Sequence, residues 1–253
     1  RFVVAGVFVK RFLKDPGSAM TTPLSNPLEF GQGLVATMKQ TMSANEKDLK
    51  YFVLSCQSFV ALLKHYPMIA DELSSLGIVP DFFKMLGALA GSGANVVLCE
   101  CFLRNTLALC SSRVAVEHAA AANGVPALVL LLHSSLPSVQ SEGHATPSSR
   151  LASQCLALIE RLVIVGGDMK TLMKQISSSE CLKTLIEYLE WESRPHLPPS
   201  AEDDIDYSVH LRVFSVSIVK RLATNPHTGA STRKFLEKIK IWARYKNQDE
   251  SLY

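Results

Sequence analysis

The chain has 253 residues, 47% hydrophobic and 19% charged, a composition that argues against disorder over most of its length and suits a sizeable core or a short repeat array. Its net charge of +3 is too small to imply a nucleic-acid protein. No apolar run reaches the roughly 18 residues of a membrane span, and the opening RFVVAGVFVKRFLK is cut by Lys10 and Arg11 with no small-residue cleavage site after it, which argues against a signal peptide. Because the sequence begins at Arg1 rather than Met, it reads as a piece of a longer protein.

Taken in chain order, a first helix is predicted near 2–14. The next, near 27–43, opens on NPLE: Asn26 as N-cap, Pro27 at the first helical position, and Glu29 at the third, its carboxylate reaching back to the cap. Near 47–65, Phe52, Cys56, Phe59, Val60 and Leu63 fall at i, i+4, i+7, i+8 and i+11, the apolar stripe of an amphipathic helix. Helices near 67–75 and 80–90 follow, with Pro67 and Pro80 each in a first turn, where a missing N–H is not needed. Two more are predicted near 95–111 and 113–122.

The stretch ANGVPALVLLLHS then repeats the punctuation of SLGIVPDFFKML. Gly77 and Gly124 are expected to close helices in the left-handed conformation that glycine tolerates best, and Pro126 to start a short helix near 126–134. That helix would be nearly surrounded by neighbours, with Leu130 in the core. SSLPSVQSEGHATPSS, rich in Ser, Pro and Gly, reads as a loop insertion over about 135–148.

A helix near 149–165 carries Leu151, Cys155, Leu158 and Leu162, with Ile159 and Val163 beside them. Helices near 168–177 and 179–191 lead to an acidic linker at about 194–206. Tyr207, Leu211, Phe214, Ile218 and Leu222 form the stripe of a helix near 207–224. Helices near 230–239 and 240–246 end the chain.

No comparable stretch alternates with period two, so the class is all-α. The Val-Pro pairs at 79–80 and 125–126 lie 46 residues apart, and the next equivalent position, Glu180-Cys181, lies 55 further on, across the insertion. That spacing falls in the range of HEAT and armadillo repeats, whose units cover each other's apolar faces by stacking into a solenoid. GVPALVLLL resembles the start of the third helix of an armadillo repeat, whereas the earlier copy substitutes Phe82 and Phe83. A single armadillo-like array over 1–253 is therefore expected.

Motifs for chemistry are sparse. The cysteines are Cys56, Cys99, Cys101, Cys110, Cys155 and Cys181. Cys-x-Cys at 99–101 has too short a spacing for a zinc pair and no second pair to complete it, so buried free thiols in a reducing compartment are favoured. Neither G-x-S-x-G, H-E-x-x-H nor a Walker lysine loop occurs. GSGAN at 91–95 follows a helix and lacks a lysine. Asp203 and Asp204 could pair with His210 as acid–base partners, but AEDDID better fits a solvated acidic segment at a helix N-terminus. Ser148 and Ser149 are possible phosphorylation sites without a kinase signature. No catalytic residue, metal ligand or cofactor site is expected, and no nucleic-acid or small-molecule partner.

The charge distribution is uneven only at the end. Between Arg212 and Lys246 stand nine basic residues against one acid, Glu237, interleaved with Phe235, Ile239, Ile241 and Trp242. Arg233, Lys234, Lys238, Lys240 and Arg244 are the candidate partner-binding residues, for an acidic protein or an anionic membrane surface. The competing reading makes Phe235, Ile239 and Trp242 the cap of a solenoid whose basic outer face is simply solvated.

Several stretches taken together resemble a known family. GVFVKRF (6–12), NPLEF (26–30), LLKHYPMIADELSSLGIVPDFFKML (62–86) and VKRLATNPHTGASTRKFLEKIKIWARYKNQDESLY (219–253) are similar, in collinear order, to the C-terminal part of the receptor-mediated-endocytosis DnaJ-domain proteins, known in plants as the gravitropism-defective family. The likeness is weakest at 134–149 and 192–206. It implies a non-catalytic piece of a large protein, cytoplasmic and peripheral on the early endosome membrane. That family acts in sorting membrane cargo with an Hsp70 chaperone, retromer-associated sorting nexins and the WASH complex. The J domain that stimulates Hsp70 carries a His-Pro-Asp tripeptide, and none of the seven histidines here is followed by Pro-Asp. The resemblance therefore carries over a scaffold role for protein–protein interaction. The alternative is a membrane-surface adaptor that binds anionic lipid through the basic end.

Overall fold

The computed structural model describes residues 24–41, 46–90, 96–142, 146–190 and 207–249. Among them all regular structure is helical, with no strand. The helices are α1 (Pro27–Thr41), α2 (Glu46–His65), α3 (Ala70–Ser74, preceded by a 3₁₀ turn at Pro67–Ile69), α4 (Ile78–Ala90), α5 (Val96–Leu109) and α6 (Arg113–Ala121). After them come α7 (Gly124–Glu142), α8 (Pro147–Val165), α9 (Lys170–Ile176), α10 (Ser179–Glu190), α11 (Tyr207–Thr224) and α12 (Gly229–Asp249). Along the chain a short helix (α3, α6, α9) is followed three times by a medium or long one (α4, α7, α10) and then a long one (α5, α8, α11). They group into two compact units that divide between Ala122 and Asn123.

In the first unit, α1 begins as its sequence requires. Asn26 Oδ1 accepts from the backbone N–H of Glu29 at 3.1 Å. The Glu29 carboxylate meets the Asn26 side-chain amide at 3.3 Å instead of the cap's backbone. The core is built on aromatic rings: Phe102 of α5 lies 5.2 Å from Phe52 of α2 and 5.4 Å from Phe82 of α4, centroid to centroid, both tilted. Helices α3 and α6 lie side by side in the same direction. The Ser112 hydroxyl donates to the Asp71 carboxylate while capping α6 through the Ala115 N–H. Further along, His118 Nδ1 meets the Ser74 carbonyl at 3.1 Å, so that nitrogen carries the proton.

The second unit is held by its own cross-helix hydrogen bonds. Tyr188 of α10 donates to the Leu132 carbonyl of α7 at 2.8 Å. Helices α8 and α11 again run side by side in the same direction, with Ser217 donating to Glu160 and, past both C-termini, Asn225 Nδ2 donating to the Gly167 carbonyl at 2.7 Å. The α11–α12 turn, NPHTG, is tight: a Cβ on Gly229 would lie 2.8 Å from the Ala223 carbonyl oxygen. Glycine is required there by close approach rather than by φ.

Four expectations are corrected. Gly77 does take the left-handed conformation, at φ 73°, but at the second site it is Asn123, at φ 51°, that does so. Asn123 stands three residues before Pro126 as Gly77 stands three before Pro80, and Gly124 instead opens α7. Asparagine is the side chain best able to replace glycine there. At the third equivalent position Ser178 needs no positive φ. Its hydroxyl accepts from the Cys181 N–H at 3.3 Å, a donor that Pro80 and Pro126 lack at the matching third helical position.

The loop insertion expected over about 135–148 is helical through Glu142, with Pro137 inside α7. Ser135, Leu136 and Val139 continue its buried face. Proline leaves the His133 carbonyl, four residues before it, without its helical donor; just upstream, Ser134 and Ser135 donate to the Leu131 carbonyl at 2.9 and 2.8 Å, and Tyr188 to that of Leu132. Helix α8 then starts at Pro147, capped by Thr146. Leu130 is not a core residue: it is 45% exposed, whereas Leu131, Leu132 and Leu158 are fully buried. Finally, the two helices expected at 230–239 and 240–246 are one helix, α12, for no Gly or Pro interrupts 230–249. The helix expected near 2–14 and the acidic linker at about 194–206 lie outside the described residues.

Candidate functional site

The thiols come first, because Cys-x-Cys was the sharpest chemical motif. All six cysteines are free and buried. Cys56 lies against the Met38 sulfur at 3.6 Å, and burial drives its thiol far above the ordinary range. Burial, with Glu100 adjacent in sequence, raises Cys99 to about 11. Burial and Glu180 raise Cys181 to about 12. These three are packing residues rather than nucleophiles, since the reactive form is the thiolate; Cys101 is shifted the other way, its hydrogen bond with Cys56 lowering it against the effect of burial. Among the described residues, no three His, Cys, Asp or Glu side chains come together as a metal site.

A pH dependence follows from those values. Above the ordinary thiol value of 9.0, the unfolded chain releases protons that the folded chain retains at Cys99 and Cys181. Their contribution is therefore fully present below that value and is lost as pH rises through about 11 and 12. The melting temperature followed by circular dichroism should fall steadily from pH 9 upward. An unchanged melting temperature up to pH 11 would show that these thiols are already solvated.

The remaining small motifs contribute little. GSGAN at 91–95, Asp203 and Asp204 lie outside the described residues. His210 is exposed and sits between the rings of Tyr207 and Phe214, at 6.0 and 6.2 Å. Ser149 is fully buried, its backbone N–H bonded to Thr146 Oγ1 at 3.1 Å. It is withheld from modification, while Ser148 is half-buried.

The basic end is surface. Arg233, Lys234 and Lys238 are exposed on α12, and the face carrying Thr232, Phe235 and Ile239 turns inward. Arg233 is also structural: its Nη1 donates to the Ala223 carbonyl at 2.7 Å, satisfying a free carbonyl at the end of α11. Lys240 and Arg244 belong to the same helix, but their side chains, like that of Trp242, lie outside the described residues. The structure thus places three of the five candidate residues on one exposed helical surface.

A second surface was not foreseen. The core stripe expected on α11 is shifted: Leu211, Ser215, Ile218 and Leu222 are buried, and Tyr207 and Phe214 only half-buried. Its outer face carries Val209, Val213 and Val216 at i, i+4 and i+7, exposed by 58, 56 and 53%. Along that face runs a groove of about 650 Å³ lined by Arg212, Val213, Val216, Ser217, Lys220 and Arg221. The signal was in the sequence as a helix apolar on more than one side, a pattern that marks either full burial or an unfilled contact.

Among the described residues, no single helix is long and apolar enough to cross a membrane. No family model matches the chain, and no solved structure matches it. Over an alignment 283 positions long, covering 99% of the chain, the sequence is 24% identical to the DnaJ homolog subfamily C GRV2 of Arabidopsis thaliana. The chain spans 11% of that protein's length. No catalytic family is indicated. What the sequence and structure together support is a chain that is all-helical among its described residues, with distant similarity, along nearly its whole length, to a DnaJ subfamily C protein.

Proposed function

We propose that this chain is a non-catalytic, armadillo-like scaffold segment of a large endosomal DnaJ-family protein, presenting helical surfaces to partners that sort membrane cargo. The observation that carries this is the recurrence of short, medium and long helices, with α3 beside α6 and α8 beside α11 in the same direction. Helices that recur and lie side by side in register are how repeat units bury faces they cannot cover alone. The similarity to the GRV2 protein covers that whole series. A cytoplasmic position on early endosomes, protein partners such as sorting nexins or the WASH complex, and Hsp70 engaged through a J domain, whose His-Pro-Asp tripeptide does not occur in these residues, complete the proposal by family resemblance.

Immobilised chain exposed to endosomal extract should retain sorting-machinery proteins that mass spectrometry identifies. It should leave the ATPase rate of an Hsp70 unchanged. Recovery of nothing beyond the bead control would overturn the scaffold reading, and ATPase stimulation would overturn the assignment of that activity to another domain.

Binding to anionic lipid is the second reading, favoured by exposed Lys234 and Lys238 one turn apart on α12. Reversing charge at Arg233, Lys234 and Lys238 should abolish salt-sensitive sedimentation with anionic vesicles if lipid is the target. If a protein is the target, the same variant should slow association with it, and the effect should shrink as salt rises.

A further inference from the structure

We propose that the outer face of α11 docks an acidic segment of a partner protein through that segment's apolar side chains. The inference rests on the scaffold reading and names a surface and a partner chemistry for it. The floor is apolar, with Val213 and Val216 in it and Val209 one turn before them on the same side of the helix, each more than half exposed. Three valines at successive turns, left in water beside a groove, are what a docking surface needs and what a solvated helix face avoids. From Val209 to Arg221 the face extends for about 18 Å, enough for three turns of a partner helix.

Charge selects the partner. Arg212 lies at one end of the groove, and Lys220 and Arg221, both exposed, at the other. Glu160 lies beside the lining and accepts from the Ser217 hydroxyl. A segment with carboxylates flanking its apolar residues would set those charges against the cations while its side chains covered the valines. A membrane is a poorer fit, because interfacial helices insert bulky Trp, Phe or Leu, and a groove floored by valine is recessed from a flat bilayer. A second copy of the chain is also disfavoured, since a symmetric contact across this face would bring like charges together.

The test uses the whole 253-residue chain and a fluorescein-labelled helical peptide of about 18 residues, with Leu at i, i+4, i+7 and i+11 and Glu beside them. A matched peptide has Lys for Glu. Anisotropy should show saturable binding of the acidic peptide, at least about tenfold tighter than that of the basic one. Val213→Asp with Val216→Asp should weaken it at least about tenfold, as truncation at an interface centre does. Lys220→Glu with Arg221→Glu, at exposed positions, should weaken it and flatten its salt dependence. Equal affinity for both peptides, wild-type binding by the charge-reversed variant, or binding to anionic vesicles with none to the peptide would overturn the proposal. So would a dimer that the valine variant dissolves. Extract partners retained undiminished by both variants would sink this docking face while leaving the scaffold reading intact; loss of capture by the wild-type chain would sink the scaffold reading itself.

Discussion

Leu158→Ala should destabilise the protein by about 2–5 kcal/mol, whereas Leu130→Ala should stay within about 0.5 kcal/mol of the parent. Leu158 is fully buried in α8, the helix that packs against α7 and α11. Truncation there removes transfer energy and leaves a cavity that close-packed neighbours refill only in part. Leu130 sits in the most apolar run of the sequence, yet its side chain is 45% exposed, so the shortened variant loses few contacts. Urea unfolding followed by helical circular dichroism measures both. Similar losses for the two variants would mean that the α7 face carrying Leu130 is covered, and its register would have to be rotated.

Leu130 also shows where sequence reasoning stops. Periodicity located α2, α8 and α11 because their buried residues recur at helical spacing among polar ones. In VPALVLLLHS the apolar residues surround the helix, and the pattern holds no phase. Local chemistry was legible wherever it depends on adjacent residues: the Asn26 cap, the prolines in first turns, the 46-residue relation between the Val-Pro pairs. It failed where a distant side chain decides. Pro137 reads as a helix breaker, yet α7 continues past it, its buried face carried on by Leu136 and Val139 and its Leu132 carbonyl bonded by Tyr188, 56 residues away. Asn123 took the left-handed position because the repeat register, not the presence of a nearby glycine, fixes where the turn falls. The candidate site divided in the same way. The basic residues of α12 were visible as composition. The exposed valines of α11 carried no reading beside the stripe of Tyr207, Leu211, Phe214, Ile218 and Leu222, because a sequence shows that a helix has two apolar sides without showing which one is covered.

Phe102→Ala should cost about 3–5 kcal/mol, the upper range for a single truncation. Phe102 is 1% exposed and is the shared member of two aromatic pairs, with Phe52 at 5.2 Å and interplanar angle 54° and with Phe82 at 5.4 Å and 55°. Tilted pairs at such distances add about 0.5–1.5 kcal/mol to area burial, and deleting the shared ring removes both at once. Deleting Phe52 or Phe82 breaks only one, so each should cost less, and the three losses should not add. Phe102→Leu, which keeps much of the volume, should recover more than half of the loss. Tyr51→Ala, next to Phe52 but 62% exposed, should stay within about 0.5 kcal/mol of the parent. A thiol reagent supplies a local readout. Cys99 and Cys101 flank this ring on α5, at 0 and 8% exposure. A cavity at Phe102 loosens the packing that protects them, so both should react faster in Phe102→Ala below its melting transition, while Cys181 of the second unit keeps its parental rate. Equal stability of Phe102→Ala and Tyr51→Ala would place the ring outside the core, and an unchanged thiol rate beside a large stability loss would mean that the cavity had collapsed rather than opened.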